Sequence, residues 1–279
     1  DVCSSDLGTQ HYGPHKLVVR DLESGEEEVV APAVAASALS FSPTEDKLVF
    51  ARIDRADRYG SRQSDVYAYD FSAEEPGLAS SAAWLVPALV RGYGAAPARE
   101  GRLSRGLRAL YPAHSPDGQW IAFVKNGGTN NNLGVMRADG SEVHYLTDIA
   151  DGTQLYSPRF APDGAHIALS IARDGQRDIV LLRVREEDGQ LRAEGRWELL
   201  VSTSGTDRDP AWSADGKRLY FSSDISGIFN IYAIELATGL VEQVTNVRGG
   251  AFNPTVDAEG QVYFSAYAAK GFEIRKIAG

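Results

Sequence analysis

The sequence has one cysteine, Cys3, so no intramolecular disulfide framework can form. That leaves the compartment open, because many periplasmic proteins do without disulfides. No run approaches the roughly 18 apolar residues of a spanning helix, and membrane insertion is not expected. Positive charge is in deficit: 28 Lys and Arg stand against 38 Asp and Glu, a formal net charge of −10. Binding along a nucleic acid backbone needs a surplus of Lys and Arg, so no nucleic acid partner is expected. The acidity by itself reads as solubility. Signature motifs of catalysis are also missing. There is no Gly-x-Ser-x-Gly elbow, no His-Glu-x-x-His zinc helix, no phosphate-cradling Gly-x-x-x-x-Gly-Lys and no cysteine pair for zinc. No catalytic residue, cofactor or metal site is expected within the chain.

What the sequence has is an internal repeat. Five segments share one pattern: Leu39-Ser40-Phe41-Ser42-Pro43, Pro112-Ala113-His114-Ser115-Pro116-Asp117-Gly118, Pro158-Arg159-Phe160-Ala161-Pro162-Asp163-Gly164, Pro210-Ala211-Trp212-Ser213-Ala214-Asp215-Gly216 and Pro254-Thr255-Val256-Asp257-Ala258-Glu259-Gly260. Measured at Phe41, His114, Phe160, Trp212 and Val256, the intervals are 73, 46, 52 and 44 residues. Three of these lie near the ~40–50 residues of a four-stranded propeller blade.

The chemistry of the pattern is that of a hairpin. A short strand ends at the aromatic or apolar position. Pro then presets φ, Asp bonds nearby backbone and Gly accepts positive φ. A second strand alternates with period two, at Leu48 and Phe50, Ile121 and Phe123, Ile167 and Leu169, Leu219 and Phe221, Val262 and Phe264. Such alternation turns one face of the strand into a core. A polar loop follows, then an acidic or amide residue before a third strand: Asp65, Asn132, Asp178, Asn230, Glu273. These five are read as bonding backbone locally at the start of that strand, against the alternative of lining a ligand channel. A fourth strand closes on an aliphatic residue and Ser or Thr, at Leu103-Ser104, Leu146-Thr147, Val201-Ser202 and Val244-Thr245.

The expected fold is therefore all-β: a β-propeller of four-stranded antiparallel blades, about five to six of them present, from a six-bladed or larger propeller. Residues 8–279 read as one domain. It divides into a partial blade 8–35, blades 36–106, 107–150, 151–204 and 205–248, and a partial blade 249–279. In the partial first blade, Lys16 to Asp21 and Glu26 to Val30 read as its last two strands. Residues 1–7 resemble translated adapter sequence and are set aside as a non-native or disordered terminus. An insertion at 71–100, rich in Ala, Ser, Gly and Pro, accounts for the long first interval. It reads as a loop over the rim of its own blade or as a docking element.

The Pro-x-aromatic-Ser-Pro-Asp-Gly-x-x-Ile-x-Phe stretch, and the link Leu103-Ser104-Arg105-Gly106 followed by Tyr111-Pro112, resemble the repeats of the TolB-like propeller family. The likeness covers nearly all of the chain after residue 35. It implies a propeller and leaves function open, since such blades occur in three settings. One is TolB, a periplasmic partner of cell-envelope lipoproteins. The others are propellers that gate prolyl-oligopeptidase-type serine peptidases, and large secreted proteins with other attached domains. The leading expectation is a non-catalytic interaction scaffold that is periplasmic or secreted, monomeric, and bound to a protein or peptide, with a cell-envelope component among the candidates. A gating propeller of a serine peptidase is the alternative, and a carbohydrate-binding propeller the second alternative.

Topology assigns loops to faces. Second-to-third and fourth-to-first connections share one face and are longer and more varied than the Gly turns opposite, so they are the better binding candidates. They carry Arg55, Arg58, Tyr59, Arg62, Arg105, Arg108, Tyr111, Tyr156, Arg177, Arg208 and Arg248. This is more Arg and Tyr than an acidic chain suggests, and both are enriched at interface hot spots. His114, in the aromatic slot of its repeat, is the one histidine of five expected near the central channel. The expectation is a docking face for a protein or peptide, against the plainer reading of solvated loops.

Overall fold

In the computed structural model, the structure describes residues 2–3, 15–20, 24, 26–53, 63–73, 99–128, 130–269 and 271–278. No helix occurs among them; the strands form five antiparallel sheets that follow one another as the blades of a β-propeller. The first sheet contains β1 (Val2–Cys3), β2 (His15–Arg20), β3 (Glu27–Phe41), β4 (Lys47–Ile53), β5 (Ser64–Asp70) and β6 (Glu100–Arg102) in sequence order. The second holds β7 (Ala109–His114), β8 (Trp120–Asn126), β9 (Asn131–Arg137) and β10 (His144–Tyr145). The third holds β11 (Gln154–Phe160), β12 (His166–Arg173), β13 (Gln176–Glu187), β14 (Gln190–Ala193) and β15 (Glu198–Val201). The fourth holds β16 (Arg208–Trp212), β17 (Arg218–Ser223), β18 (Asn230–Glu235) and β19 (Val241–Gln243). The fifth holds β20 (Ala251–Val256), β21 (Gln261–Ala268) and β22 (Gly271–Ala278). The inner strands β3, β7, β11, β16 and β20 pack each against the next.

The N-terminal strands do not form a separate blade. β3 runs unbroken from Glu27 to Phe41, and β2 pairs with its first half, so the expected partial blade 8–35 is continuous with the sheet of the first full blade. The run from Val29 to Ala36 contains only Val, Ala and one Pro, with no Gly, Asn or Asp to turn the chain. Most of the insertion expected at 71–100 lies outside the described residues; its two ends leave β5 and return to β6, which pair with each other.

The alternating strands bury both faces. Ile121 and Phe123 of β8 pack with Val49 and Val66 of the first blade, while Ala122 and Val124 pack with Leu155, Ile167 and Leu169 of the third. The rule repeats. Leu219 and Phe221 lie against Ala168 and Ile179 of the preceding blade, and Val262 and Phe264 against Tyr220 and Ile231. The second strands of the middle three blades thus split successive residues between the two seams, with Ala122, Val124, Ala168 and Tyr220 facing the blade ahead. Each such Leu, Ile or Phe contributes about 1.5–3 kcal/mol of burial.

Every inner strand from β7 onward carries the same irregularity. Tyr111, Ser157, Asp209 and Asn253 have φ of 54°, 49°, 55° and 50°, each stands directly before a proline, and each lies in a register shift of the ladder. Two inner-strand residues there face one on the second strand, which is a β-bulge. Proline cannot donate to a ladder, and a bulge is where a strand tolerates it.

In three blades the acidic or amide residue opening the third strand makes long-range bonds. Asn132 Oδ1 accepts from Thr147 Oγ1 at 2.9 Å and Ile149 N at 2.7 Å, and Thr147 Oγ1 accepts Leu133 N–H at 2.9 Å. In the fourth blade, Val247 N donates to Asn230 Oδ1 at 2.9 Å. In the first, buried Asp65 accepts from Ser104 Oγ at 2.6 Å, Gly106 N at 2.9 Å and Leu107 N at 3.1 Å. The expectation of local bonding at the third strand is thus corrected. These side chains latch it to the end of the fourth strand and to the link into the next blade, because a buried oxygen there faces unpaired backbone N–H groups. The third blade uses other residues. Ser202 is exposed, and Thr203 donates to Asp207 through N at 2.8 Å and Oγ1 at 2.9 Å.

A feature with no counterpart in the repeat is the hairpin of β13 and β14, which runs on past the sheet of the third blade. It folds onto the second blade. Arg137 donates to the Gly189 carbonyl and stacks 3.9 Å over Trp120, while His144 Nε2 bonds the Leu191 carbonyl at 2.6 Å.

Candidate docking face

The starts of the inner strands and the starts of the third strands meet on one face of the propeller. Four of the expected residues converge there. Tyr111 and Tyr156 meet edge to face with ring centroids 6.0 Å apart, Arg177 lies 4.1 Å over the Tyr156 ring, and Arg208 lies close by on the next inner strand. The bulges place them, since Tyr111 is a left-handed bulge residue itself, and Tyr156 and Arg208 each immediately precede one.

The aromatic series continues across two more blades. The Arg208 guanidinium lies 6.0 Å from the Phe252 centroid, Phe229 and Phe252 are 4.9 Å apart, Phe252 and Phe272 6.0 Å, and Phe272 and Tyr267 5.1 Å. Tyr267 is half exposed at 52%. The result is a line of rings and guanidinium groups spanning the second to fifth blades. Rings with a polar or cationic rim suit protein surfaces, because they bury area at low conformational cost.

Charge within the face is unbalanced. Arg208 Nε donates to Asp209 Oδ2 at 2.8 Å, and Asp209 is buried. Arg159, two residues beyond the Ser157 bulge, sits within the field of Asp209, and its Nη1 donates to the Pro158 carbonyl at 2.9 Å. Burial makes the charged form of Arg159 harder to hold, with Asp209 opposing that effect. Burial also lowers Arg177, and the neighbouring Arg208 lowers it further. Tyr111 is raised by burial, with Arg177 acting against the rise.

The other expected residues stand apart. Arg105, Arg108 and Arg248 are exposed on the linking segments of the same face. His114 lies at the far end of β7, half-buried, with its backbone N–H donating to Ser40 Oγ at 2.9 Å. Arg55, Arg58, Tyr59 and Arg62 lie outside the described residues. Reading the sequence passed over Arg159, Phe229, Tyr267 and Phe272. Arg159 occupies the x of the repeat's Pro-x-aromatic, where Ala113, Ala211 and Thr255 stand in other blades, and that departure was the available signal. Among the described residues, no three His, Cys, Asp or Glu stand together as a metal site.

Residues 103–278 match the family model described as the TolB beta propeller domain. A dipeptidyl-peptidase 5 of Porphyromonas gingivalis is 31% identical over 142 residues, which is 47% of this chain and 20% of that protein. A Tol-Pal system protein TolB of Francisella tularensis is 33% identical over 135 residues, 47% of this chain and 29% of that protein. The chain thus spans less than a third of the length of either relative. The structure of a putative TolB from Agrobacterium tumefaciens superposes with a TM-score of 0.64 at 17% identity, covering 92% of this chain and 81% of that one, a likeness of fold.

Proposed function

The chain belongs to the TolB β-propeller domain family, and from that membership we propose that it is a non-catalytic docking module. It binds a protein or peptide, with a cell-envelope component as the candidate partner, through the face where the inner strands begin. The observation that carries this is the continuous series from Tyr111 through Arg177 and Arg208 to Phe272, with exposed Arg105, Arg108 and Arg248 around it. The Tol-Pal name of one relative supports a periplasmic or secreted site of action. The chain acts as a monomer, and neither nucleic acid nor membrane insertion enters the reading.

The test uses the immobilised chain with an envelope extract of the source organism, followed by binding of the purified captured partner. Arg105, Arg108 and Arg248 changed together to Glu should weaken binding about ten-fold or more through lost electrostatic complementarity. Lys217→Glu, on the opposite face, should leave it unchanged. Equal effects of the two would count against this face.

The peptidase relative supports a second reading, in which the same face sits over a hydrolase domain and selects peptides entering it. Sequencing outward from the coding region separates the two. A Ser-Asp-His triad encoded in continuity with the propeller would favour the second.

A further inference from the structure

Arg159, Arg177 and Arg208 share the field of one carboxylate, Asp209. Arg208 is the only one of the three paired with Asp209. The Arg177 Nε is buried without a hydrogen-bond partner, and Arg177 has no ion pair among the described residues. A guanidinium carries five donors in a fixed fork and cannot shed its charge. A buried Nε–H with nothing to donate to is therefore an unmet demand for an acceptor. Tyr156 holds one face of the Arg177 group, which fixes its plane. Tyr111, edge-on to Tyr156, walls the same space with a ring that suits a short apolar stem.

We propose that Arg177, beside Arg208 and walled by Tyr111 and Tyr156, is a subsite for the side-chain carboxylate of a Glu or Asp on the docking partner. The assignment rests on the docking reading above and names the chemistry of what docks. A planar carboxylate matches the guanidinium fork in a two-point contact. Its charge offsets a local excess of cations in a chain whose overall charge is −10. The site thus selects an acidic segment that the rest of the surface repels. This sets specificity more than raw affinity.

The probe is a fluorescein-labelled hexaglutamate peptide with an amidated C-terminus, against hexaglutamine built the same way, titrated into the whole chain by anisotropy. The Arg177 Nε–H resonance is followed by nitrogen-15 NMR. Hexaglutamate should bind, shift that resonance and lose about ten-fold or more in affinity with Arg177→Gln. Among the described residues the Arg177 side chain makes no hydrogen bond and the backbone bond from Asp207 N to its carbonyl is kept, so the variant should hold the wild-type melting temperature. The wild-type Nε–H shift supplies a readout independent of the variant. Equal binding of hexaglutamine, no binding of hexaglutamate, or an unmoved Arg177 resonance would overturn the assignment. If hexaglutamate fails while the rim arginine variants still weaken the captured partner, the carboxylate subsite falls and the docking face stands. If the rim variants have no effect, the docking reading fails on its own test.

Discussion

Asn230 and Thr245 are locked to each other across the fourth blade. The Thr245 hydroxyl donates to Asn230 Oδ1 at 3.0 Å and accepts the Ile231 N–H at 2.8 Å. Both side chains are buried. Thr245→Val keeps the shape and removes the hydroxyl, leaving an amide oxygen and a backbone N–H short of partners. The expected loss is about 1–3 kcal/mol, read from urea denaturation, with a similar loss for Thr147→Val. Ser202→Ala, at the equivalent position of the third blade, should stay within about 0.5 kcal/mol, because Ser202 is exposed and that latch is built by Thr203 and Asp207.

Asp207 makes the third blade sensitive to pH. Burial raises its carboxyl above the usual value near 3.8, and Asp178 adds to the rise against the hydrogen bonds from Ser223 and Thr203. Between the unfolded and folded pKa values the native state holds a proton that the unfolded chain has released. Stability from this group therefore falls as pH rises through that window. Asp207→Asn removes the titration and keeps one oxygen for Thr203. Measured by urea denaturation at about pH 4 and about pH 7, the variant should gain on the wild type as pH rises. A constant difference between the two would contradict this.

The β13–β14 hairpin meets the second blade through the buried Val184 and Leu191, the His144–Leu191 bond and the groups around Arg137, including Glu186 at 3.7 Å. Arg137 meets the Gly189 carbonyl, Glu142 at 3.0 Å and the Trp120 ring. Arg137→Ala should leave global stability within about 1–2 kcal/mol, since the contacts are peripheral. It should raise amide exchange across 184–193 several-fold, which mass spectrometry reads, as expected of a locally released element. Unchanged exchange would show that the His144 bond and the burial of Val184 and Leu191 suffice to hold the hairpin.

The blades were legible because their signals are local. The Pro-Asp-Gly turns and the Ile121/Phe123 alternation act within a dozen residues. What escaped was non-local. The period-two pattern located β8 without revealing that Ala122 and Val124 are buried as fully as Ile121 and Phe123, because the second face of the strand is covered only once the next blade is present. Asn132 looked like a locally bonded Asx residue because its partners, Thr147 and Ile149, lie beyond a hairpin. The break expected between residues 35 and 36 falls inside β3, where no turn residue stands. At the docking face the sequence showed Tyr111, Tyr156, Arg177 and Arg208 on loops of one side. Their convergence depends on bulges that only the ladder registers reveal, and Arg159 enters through one of them.

The most direct test of the docking face is a hydrogen-exchange footprint of the purified captured partner on the whole chain. The account predicts protection at 108–111, 154–159, 177 and 206–209, where the inner and third strands begin. It predicts none at the turns 116–118, 163–165 and 214–217 on the opposite side. Protection confined to those turns would contradict it.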